Sequence, residues 1–423
     1  MVNDTQQISK GYKQTDVGVI PVDWGVFKLN ELMKIYRGGS PRPIQAFLTN
    51  RPDGINWIKI GDVSVNAKYI LHAEEKIIKE GADHSRRVFV GDFVLSNSMS
   101  FGRPYITRIS GCVHDGWLVL QDYQNNFDTE FLFYLLSSAQ VLRQYKQKAA
   151  GSGVLNLNKE LVSSVDLLKP SLSDQKKIAK VLSDLDNLIL KFDQLIQKKK
   201  NIKQGAMQKL LTGKKRLPGF ANSKDMKETV VGKIPVDWNV TLLPEIINYI
   251  HGKAHEKFIV KQGKYIVVNS KFVSSNGQVK KYSNNVFCKA KKGDILTVLS
   301  DLPKGKALAK CYYVTQEDKY AVNQRVCIWR SKGAYSKFLY YILNRNPYFL
   351  SLDDGVSQTH ILNHHIKKCP VLLPSNIKEQ IAIADFLSQM DLEIIGLNKK
   401  FNKYKKLKQG MMQQLLTGKI RLI

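Results

Sequence analysis

At 423 residues, 43% of them hydrophobic and only 13 of them proline, the chain is long enough for two or three domains, each with its own core, and is not of a disordered class. Its 65 Lys and Arg against 36 Asp and Glu give a formal charge of +29, which attracts polyanions and puts nucleic acid ahead of a membrane surface or a ribosome as partner. No run of about 18 apolar residues is present and residues 1–14 lack the apolar core of a secretion signal, so a cytoplasmic protein with no membrane partner is expected. The five cysteines (Cys112, Cys288, Cys311, Cys327, Cys369) form no Cys-x-x-Cys pair, which argues against a disulfide framework or a zinc ribbon.

Early in the chain stands a segment that returns. Val17-Gly18-Val19-Ile20-Pro21-Val22-Asp23-Trp24 recurs about 214 positions later as Val231-Gly232-Lys233-Ile234-Pro235-Val236-Asp237-Trp238. The loop Arg37-Gly38-Gly39-Ser40-Pro41-Arg42-Pro43 follows the first occurrence. Short strands come next, clearest at Trp57-Ile58-Lys59-Ile60, Phe93-Val94-Leu95 and Trp117-Leu118-Val119-Leu120, with a Ser- and Gly-bearing loop over Ser96–Arg103 and a helical stretch over Thr129–Tyr145.

From Gln175 the apolar residues step by four and three: Ile178, Leu182, Leu185, Ile189, Phe192 and Ile196, then Lys199 and Lys203 interrupting, then Ala206 and Leu210. Ser173 and Asp174 after Pro170 are suitable N-caps, and Gly213 beside Lys214 is a suitable stop. The second copy repeats the order. Strands are expected at Tyr265-Ile266-Val267-Val268, Ile295-Leu296-Thr297-Val298 and Val326-Cys327-Ile328-Trp329, a loop at Asp301–Lys306 and a helix at Ser336–Leu343. A second seam then runs Ile383, Leu387, Met390, Ile394, Leu397, Phe401, Tyr404, Lys408, Met411, Leu415, each residue 205 positions after its counterpart. Ser375 and Asn376 after Pro374 would cap it, and Gly418 would end it.

A heptad held over about five repeats predicts two helices of about 35 residues, roughly 50 Å long, packed on each other as a coiled coil. Antiparallel pairing would make the halves pseudo-two-fold symmetric and turn the helices into a spacer, so that two domains read two short DNA words across an unread gap. The interiors between the matched ends, about 29–150 and 243–354, share little, as two targets would require.

The loops mix guanidinium, ammonium, hydroxyl and amide groups, the set that holds phosphates and reads base edges. Candidate DNA contacts are Arg37, Ser40, Arg42, Asn97, Ser98, Ser100 and Arg103 in the first copy. In the second they are Asn276, Gln278, Lys304, Lys306, Asn323, Gln324, Arg325 and Gln358. For any one of them a solvated or turn-capping role competes; the group is better supported than its members.

Catalytic signals are weak, and no catalytic, cofactor or metal residue is assigned. Asn346-Pro347-Tyr348-Phe349 lacks the second proline of an amino-methyltransferase motif, and Leu-Leu-Thr-Gly-Lys (Leu210–Lys214, Leu415–Lys419) lacks the upstream glycine of a phosphate loop. His360, His364, His365 and Cys369 lack a second ligand cluster for zinc. Asp62, Asp92 and Asp294 form no evident nuclease cluster with a lysine.

The order of the parts now resembles the specificity subunit of type I restriction-modification systems. The resemblance rests on the Gly-x-Ile-Pro-x-x-Trp openings (Gly18–Trp24, Gly232–Trp238), the Arg37–Pro41 loop, and the helix entries Gln175-Lys176-Lys177-Ile178-Ala179 and Glu379-Gln380-Ile381-Ala382. It implies an α+β protein with two similar mixed α/β target-recognition domains, 1–170 and 216–374, each followed by a spacer helix, 171–215 and 375–423. It also implies a non-catalytic DNA-binding subunit whose partners are double-stranded DNA, two modification (methyltransferase) subunits and, where present, restriction subunits, with S-adenosylmethionine and ATP bound on those partners. Two departures stand out: Asp174 precedes Gln175 where the family has Glu, and the second copy has His251-Gly252-Lys253-Ala254 in place of Gly-Gly-Ser-Pro. A nucleic-acid-binding coiled coil without sequence preference, or a self-contained methylase or nuclease, are the competing readings.

Overall fold

A computed structural model describes residues 9–97, 102–150, 157–221, 225–302 and 305–422. They form two compact units, residues 1–193 with 399–423, and residues 194–398. Each of the two long helices, Leu172–Leu210 and Ile377–Leu415, therefore contributes one half to each unit.

The first unit carries two five-stranded sheets. One runs in the order Lys34–Arg37, Trp117–Gln121, Phe93–Ser96, Pro104–Thr107, Tyr69–Ile70; the other runs Leu48–Thr49, Glu75–Ile77, Ile55–Ile58, Gly111–Val113, Arg86–Val88. The uninterrupted apolar run Phe93-Val94-Leu95 is explained by burial on both faces. Phe93, Leu95, Leu118 and Leu120 point into a core shared with the helices, whereas Val94, Trp117 and Val119 meet Ile58, Val88 and Val113 of the other sheet. The second unit repeats this plan with strands Ile247–His251, Val326–Ser331, Ile295–Val298 and Cys311–Tyr313. Its other sheet runs Ile259–Val260, Lys281–Ser283, Tyr265–Val268, Tyr320–Val322, Lys289–Ala290. Leu296, Val298, Val326 and Ile328 face that sheet, while Ile295, Cys327 and Trp329 face the helices.

Two expectations are corrected. The helical stretch from Thr129 breaks at Ser137–Ser138 into Thr129–Leu136 and Ala139–Ala150. The first long helix starts earlier than its Ser173–Asp174 signal suggested: the Ser171 hydroxyl accepts from the Asp174 amide at 3.1 Å, so Ser171 is the cap and the helix is 39 residues long. Asn376 caps the other 39-residue helix as expected, its side chain accepting from the Lys378 amide at 3.0 Å.

In the first unit Asp186 pairs with Lys408 at 2.6 Å and Phe192 stacks on Tyr404; in the second, Lys203 pairs with Asp391 at 2.5 Å and Lys199 with Glu393 at 2.6 Å. Partner numbers rise in one helix as they fall in the other, so within each unit the helix segments run antiparallel. The lysines that interrupt the apolar seam thus have carboxylate partners. Hydroxyls complete two of these pairs: Tyr134 donates to Asp186 (2.7 Å) and meets Ser183, and Tyr341 donates to Asp391 (2.8 Å) and meets Ser388. Burial pushes both phenol pKa values up, which keeps the hydroxyls protonated as donors.

The repeated motifs meet one another. Pro235 and Trp238 close on Gly213, whose φ is +69° and where a Cβ would fall 2.6 Å from the Pro235 ring; Pro21 and Trp24 close in the same way on Gly418. Arg216 forks to Asp237 (2.9 and 2.8 Å) and reaches the buried Glu379 (2.5 Å), while Arg421 forks to Asp23 (3.0 and 2.9 Å) and reaches Asp174 (3.1 Å). Glu379 also accepts from the Trp238 indole at 3.3 Å. The shorter Asp174 does not, and the buried Trp24 indole N–H has no partner among the described residues.

Leaving a buried donor unpaired costs about 1–3 kcal/mol. Asp174→Glu is therefore expected to stabilise the protein by about 1 kcal/mol, read as a rise of about 2–4 °C in the transition that unfolds residues 9–193. Truncation after Gly410 removes Leu415 and Leu416 from the first core; at about 2–5 kcal/mol per buried leucine, this approaches the whole stability of a domain. Limited proteolysis should then cut within residues 9–170 while residues 225–375 stay protected.

Candidate nucleic-acid interface

One end of each pair of sheets is held by the same backbone pattern. In the first unit Gly38 N–H donates to Trp117 C=O (2.8 Å) and Gly39 N–H to Val113 C=O (3.1 Å), which pins the 38–42 loop across the tight turn His114–Trp117. Asn97 N–H donates to Gly116 C=O (3.0 Å), and Leu157 N–H donates to Asn97 C=O (2.9 Å). In the second unit the pattern recurs: Gly252 to Val326 (3.0 Å), Lys253 to Val322 (3.0 Å), Leu299 to Arg325 (3.1 Å) and Ile361 to Leu299 (2.7 Å). His251-Gly252-Lys253-Ala254 is thus the counterpart of Arg37-Gly38-Gly39-Ser40. One glycine is demanded in each: a Cβ on Gly38 would lie 2.0 Å from His114 O, and one on Gly252 would lie 2.2 Å from Asn323 O.

On this shared frame the side chains differ. In the first unit the Ser40 hydroxyl donates to Asp115 at 2.9 Å and holds that carboxyl below its usual range. Arg42, 81% exposed, touches the same carboxylate at 3.4 Å. His114 Nε2 accepts from Ile60 N–H at 3.1 Å, and burial lowers the ring's pKa, which favours the neutral, accepting form. Between loop and turn opens a cleft of about 860 Å³ lined by residues 40–45, Trp57, residues 59–61, His114 and Asp115.

In the second unit Asn323 stands where His114 does. Its amide accepts from His255 N–H (3.1 Å) and donates to Glu256 (2.7 Å), and the fully buried His255 ring bonds Lys253 C=O (2.6 Å) and Phe287 N–H (3.1 Å). The turn tip presents Gln324 and Arg325, both exposed, in place of Asp115 and Gly116.

The structure brings together Arg37, Ser40, Arg42 and Asn97 in the first unit, and Asn323, Gln324 and Arg325 in the second. The Asn97 amide is committed to Asp115 C=O at 2.9 Å, as that of Asn323 is to its own loop, so both build the platform. Arg103, half-buried, follows on the strand edge. Lys306 and Gln358 are exposed on either side of the short ladder Ser300–Asp301 with Thr359–His360. Asn276 (φ +50°) and Gln278 form the turn after the helix Ser270–Ser274, away from the Asn323–Val326 turn in sequence but tied to the 305–310 loop by Lys310 donating to Ser274 C=O. Ser98, Ser100 and Lys304 lie outside the described residues. Gln45, Lys59, His114 and Asp115 were missed from the sequence, although Asp115-Gly116 between two apolar runs is a turn signal.

The model of the type I restriction modification DNA specificity domain matches this chain twice, over residues 21–204 and 235–409. The chain belongs to that family. It is 26% identical to the type I restriction enzyme MjaVIII specificity subunit of Methanocaldococcus jannaschii over 95% of this chain and 94% of that one. Its fold is similar to a chain solved in work on complex assembly and conformational transition of the type I R-M system (TM-score 0.58, 14% identity, 95% of this chain and 99% of that one). It is also similar to the type I S subunit of M. genitalium (TM-score 0.54, 13% identity, 93% and 96%).

The chain also exposes apolar side chains on its long helices, among them Leu172 and Leu190 in the first unit, and Ile377, Ile381, Leu392 and Ile395 in the second. Among the described residues no helix is long and apolar enough to cross a membrane.

The glycine frame gives a direct test. Gly38→Ala must move the turn or the loop, with a stability loss of about 1–3 kcal/mol. Gly39→Ala, where the nearest atom is 3.4 Å away, should cost less than half of that in the same denaturant titration.

Proposed function

We propose that each unit reads one half of a bipartite DNA site and that the long helices set the spacing between the halves and dock two methyltransferase subunits through their exposed apolar residues. The observation that carries this reading is one hydrogen-bonded frame built twice with different side chains on it. A frame of backbone bonds holds phosphate- and base-directed groups in place, and the difference between Arg42 with Asp115 and Gln324 with Arg325 gives two different words. Arg325 is suited to a guanine edge and Gln324 to adenine.

The chain turns over no substrate itself in this reading. Methyl transfer and cleavage, with S-adenosylmethionine and ATP, belong to its modification and restriction partners, and the assembly works in the cytoplasm. The discounted motifs support this, since neither Asn346-Pro347-Tyr348-Phe349 nor the two Gly-Lys ends sits in a cofactor fold: Asn346 caps a short helix by accepting from Tyr348 N–H, and Gly213 and Gly418 end the long helices.

Methylated sites mapped in a host carrying the complex should show one split motif. Exchanging residues 29–150 for those of another specificity subunit should change one half-word only, and inserting four residues in one long helix should alter the gap while both words persist. A change of both words on exchange would refute the modular reading. Methylation by the purified chain alone would refute the non-catalytic one.

A further inference from the structure

From Ile394 to Ile423 the sequence holds no Asp or Glu and eight Lys and Arg. Two of those cations are consumed inside the first unit, Lys408 by Asp186 and Arg421 by Asp23 and Asp174. Lys399, Lys403 and Lys406 are exposed and make no ion pair among the described residues. Steps of four and three put the three in one row about 10 Å long, on the side of the helix opposite Tyr404 and Lys408.

Gly410 continues the row. A Cβ there would meet nothing within 4 Å, so no internal contact explains a residue that costs the helix about 1 kcal/mol relative to alanine. Such a position leaves room for another molecule's backbone to come close.

Two ordinary explanations fall short. Cations favoured by the helix dipole belong in about the last turn, whereas Lys399 and Lys403 stand more than three turns before Leu415. Protein interfaces are depleted in lysine and need an apolar centre. The row offers lysine and glycine, flanked by Asn402, Gln413 and a single exposed leucine, Leu407, while Ile377, Ile381, Phe386, Leu392 and Ile395, the group of exposed apolar residues on this helix with the chemistry for a protein partner, precede it. Lysine with amide side chains, and one leucine at the edge in place of an apolar centre, is the composition of phosphate contact.

We propose that the Lys399–Lys403–Lys406 row binds the sugar–phosphate backbone of the duplex between the two half-words. This rests on the reading of the chain as a bipartite DNA reader. A gap whose bases are not read is held through its phosphates and sugars, and the row supplies the cations for that.

The test uses the full chain assembled with its methyltransferase partner and a duplex carrying the mapped site. Each phosphate contact contributes about 0.9 to the slope of log K against log salt. The triple variant Lys399→Gln, Lys403→Gln, Lys406→Gln should therefore lower that slope by roughly 2–3 while the methylated motif stays the same. Glutamine keeps helix propensity, and circular dichroism checks that the helix remains. A duplex with methylphosphonate linkages confined to the gap should lower the wild-type slope by a similar amount and leave the variant's unchanged. An unchanged slope in the variant, or loss of the methyltransferase subunit at unchanged slope, overturns the proposal; the latter assigns the row to a protein partner. Failure of the reading function would appear separately, as methylation without a motif in both chains.

Discussion

A guanidinium held between two carboxylates closes each unit. Arg216 and Arg421 each take one carboxylate from the Pro-x-x-Trp turn and one from the first turn of a long helix, and each sits just past the end of the other helix. Three stretches far apart in sequence are thereby fixed at one point. A planar fork suits this better than an ammonium would, because both carboxylates are met by pre-arranged donors. The strand leaving the turn then pairs with the strand entering the helix, Gly25–Lys28 with Asp166–Lys169 and Trp238–Leu242 with Pro370–Pro374, so the recognition sheets hang from a frame anchored at the clasp.

The clasp fixes where the helices begin; the lysines of the seam fix how they slide. An all-apolar antiparallel seam would pack almost as well after a shift of seven residues. With Lys203 against Asp391 and Lys408 against Asp186, such a shift would leave partly buried charges without their partners, and parting such a pair costs more than the intact pair contributes. The Tyr and Ser hydroxyls that complete each site raise this penalty, since a slipped register would strand them too. The network is a register device, bought with some stability in the sense that a polar residue in a coiled coil is.

The repeat, the seams and the strands were legible because periodicity and duplication are written residue by residue. Less was legible of the interface, for a physical reason. Asn97 and Asn323 read as base contacts from composition, yet backbone geometry turns both inward, and the cleft residue Lys59 lies in a strand-like segment with no loop signature. Loop chemistry does not reveal which side of a loop faces water. The Asp174 for Glu379 exchange was visible as a one-carbon change, but its consequence depends on a Trp24 indole whose position only the fold supplies.

The two copies also show why such a frame can change what it displays. The bonds that hold the loop, the turn and the following strand are made by main-chain groups, and only Gly38 or Gly252 is constrained by them. Apart from Asn97 and Asn323, whose amides brace the platform, the side chains at the tip can be replaced without loosening that backbone support. His114 leaves an open cleft beside Arg42 and Asp115, whereas Asn323, His255 and Glu256 fill the corresponding place with one another. A surface whose support is backbone and whose display is side chain can acquire a new word at little cost to its fold, and the duplicated unit has diverged at the tip far more than in the frame beneath it.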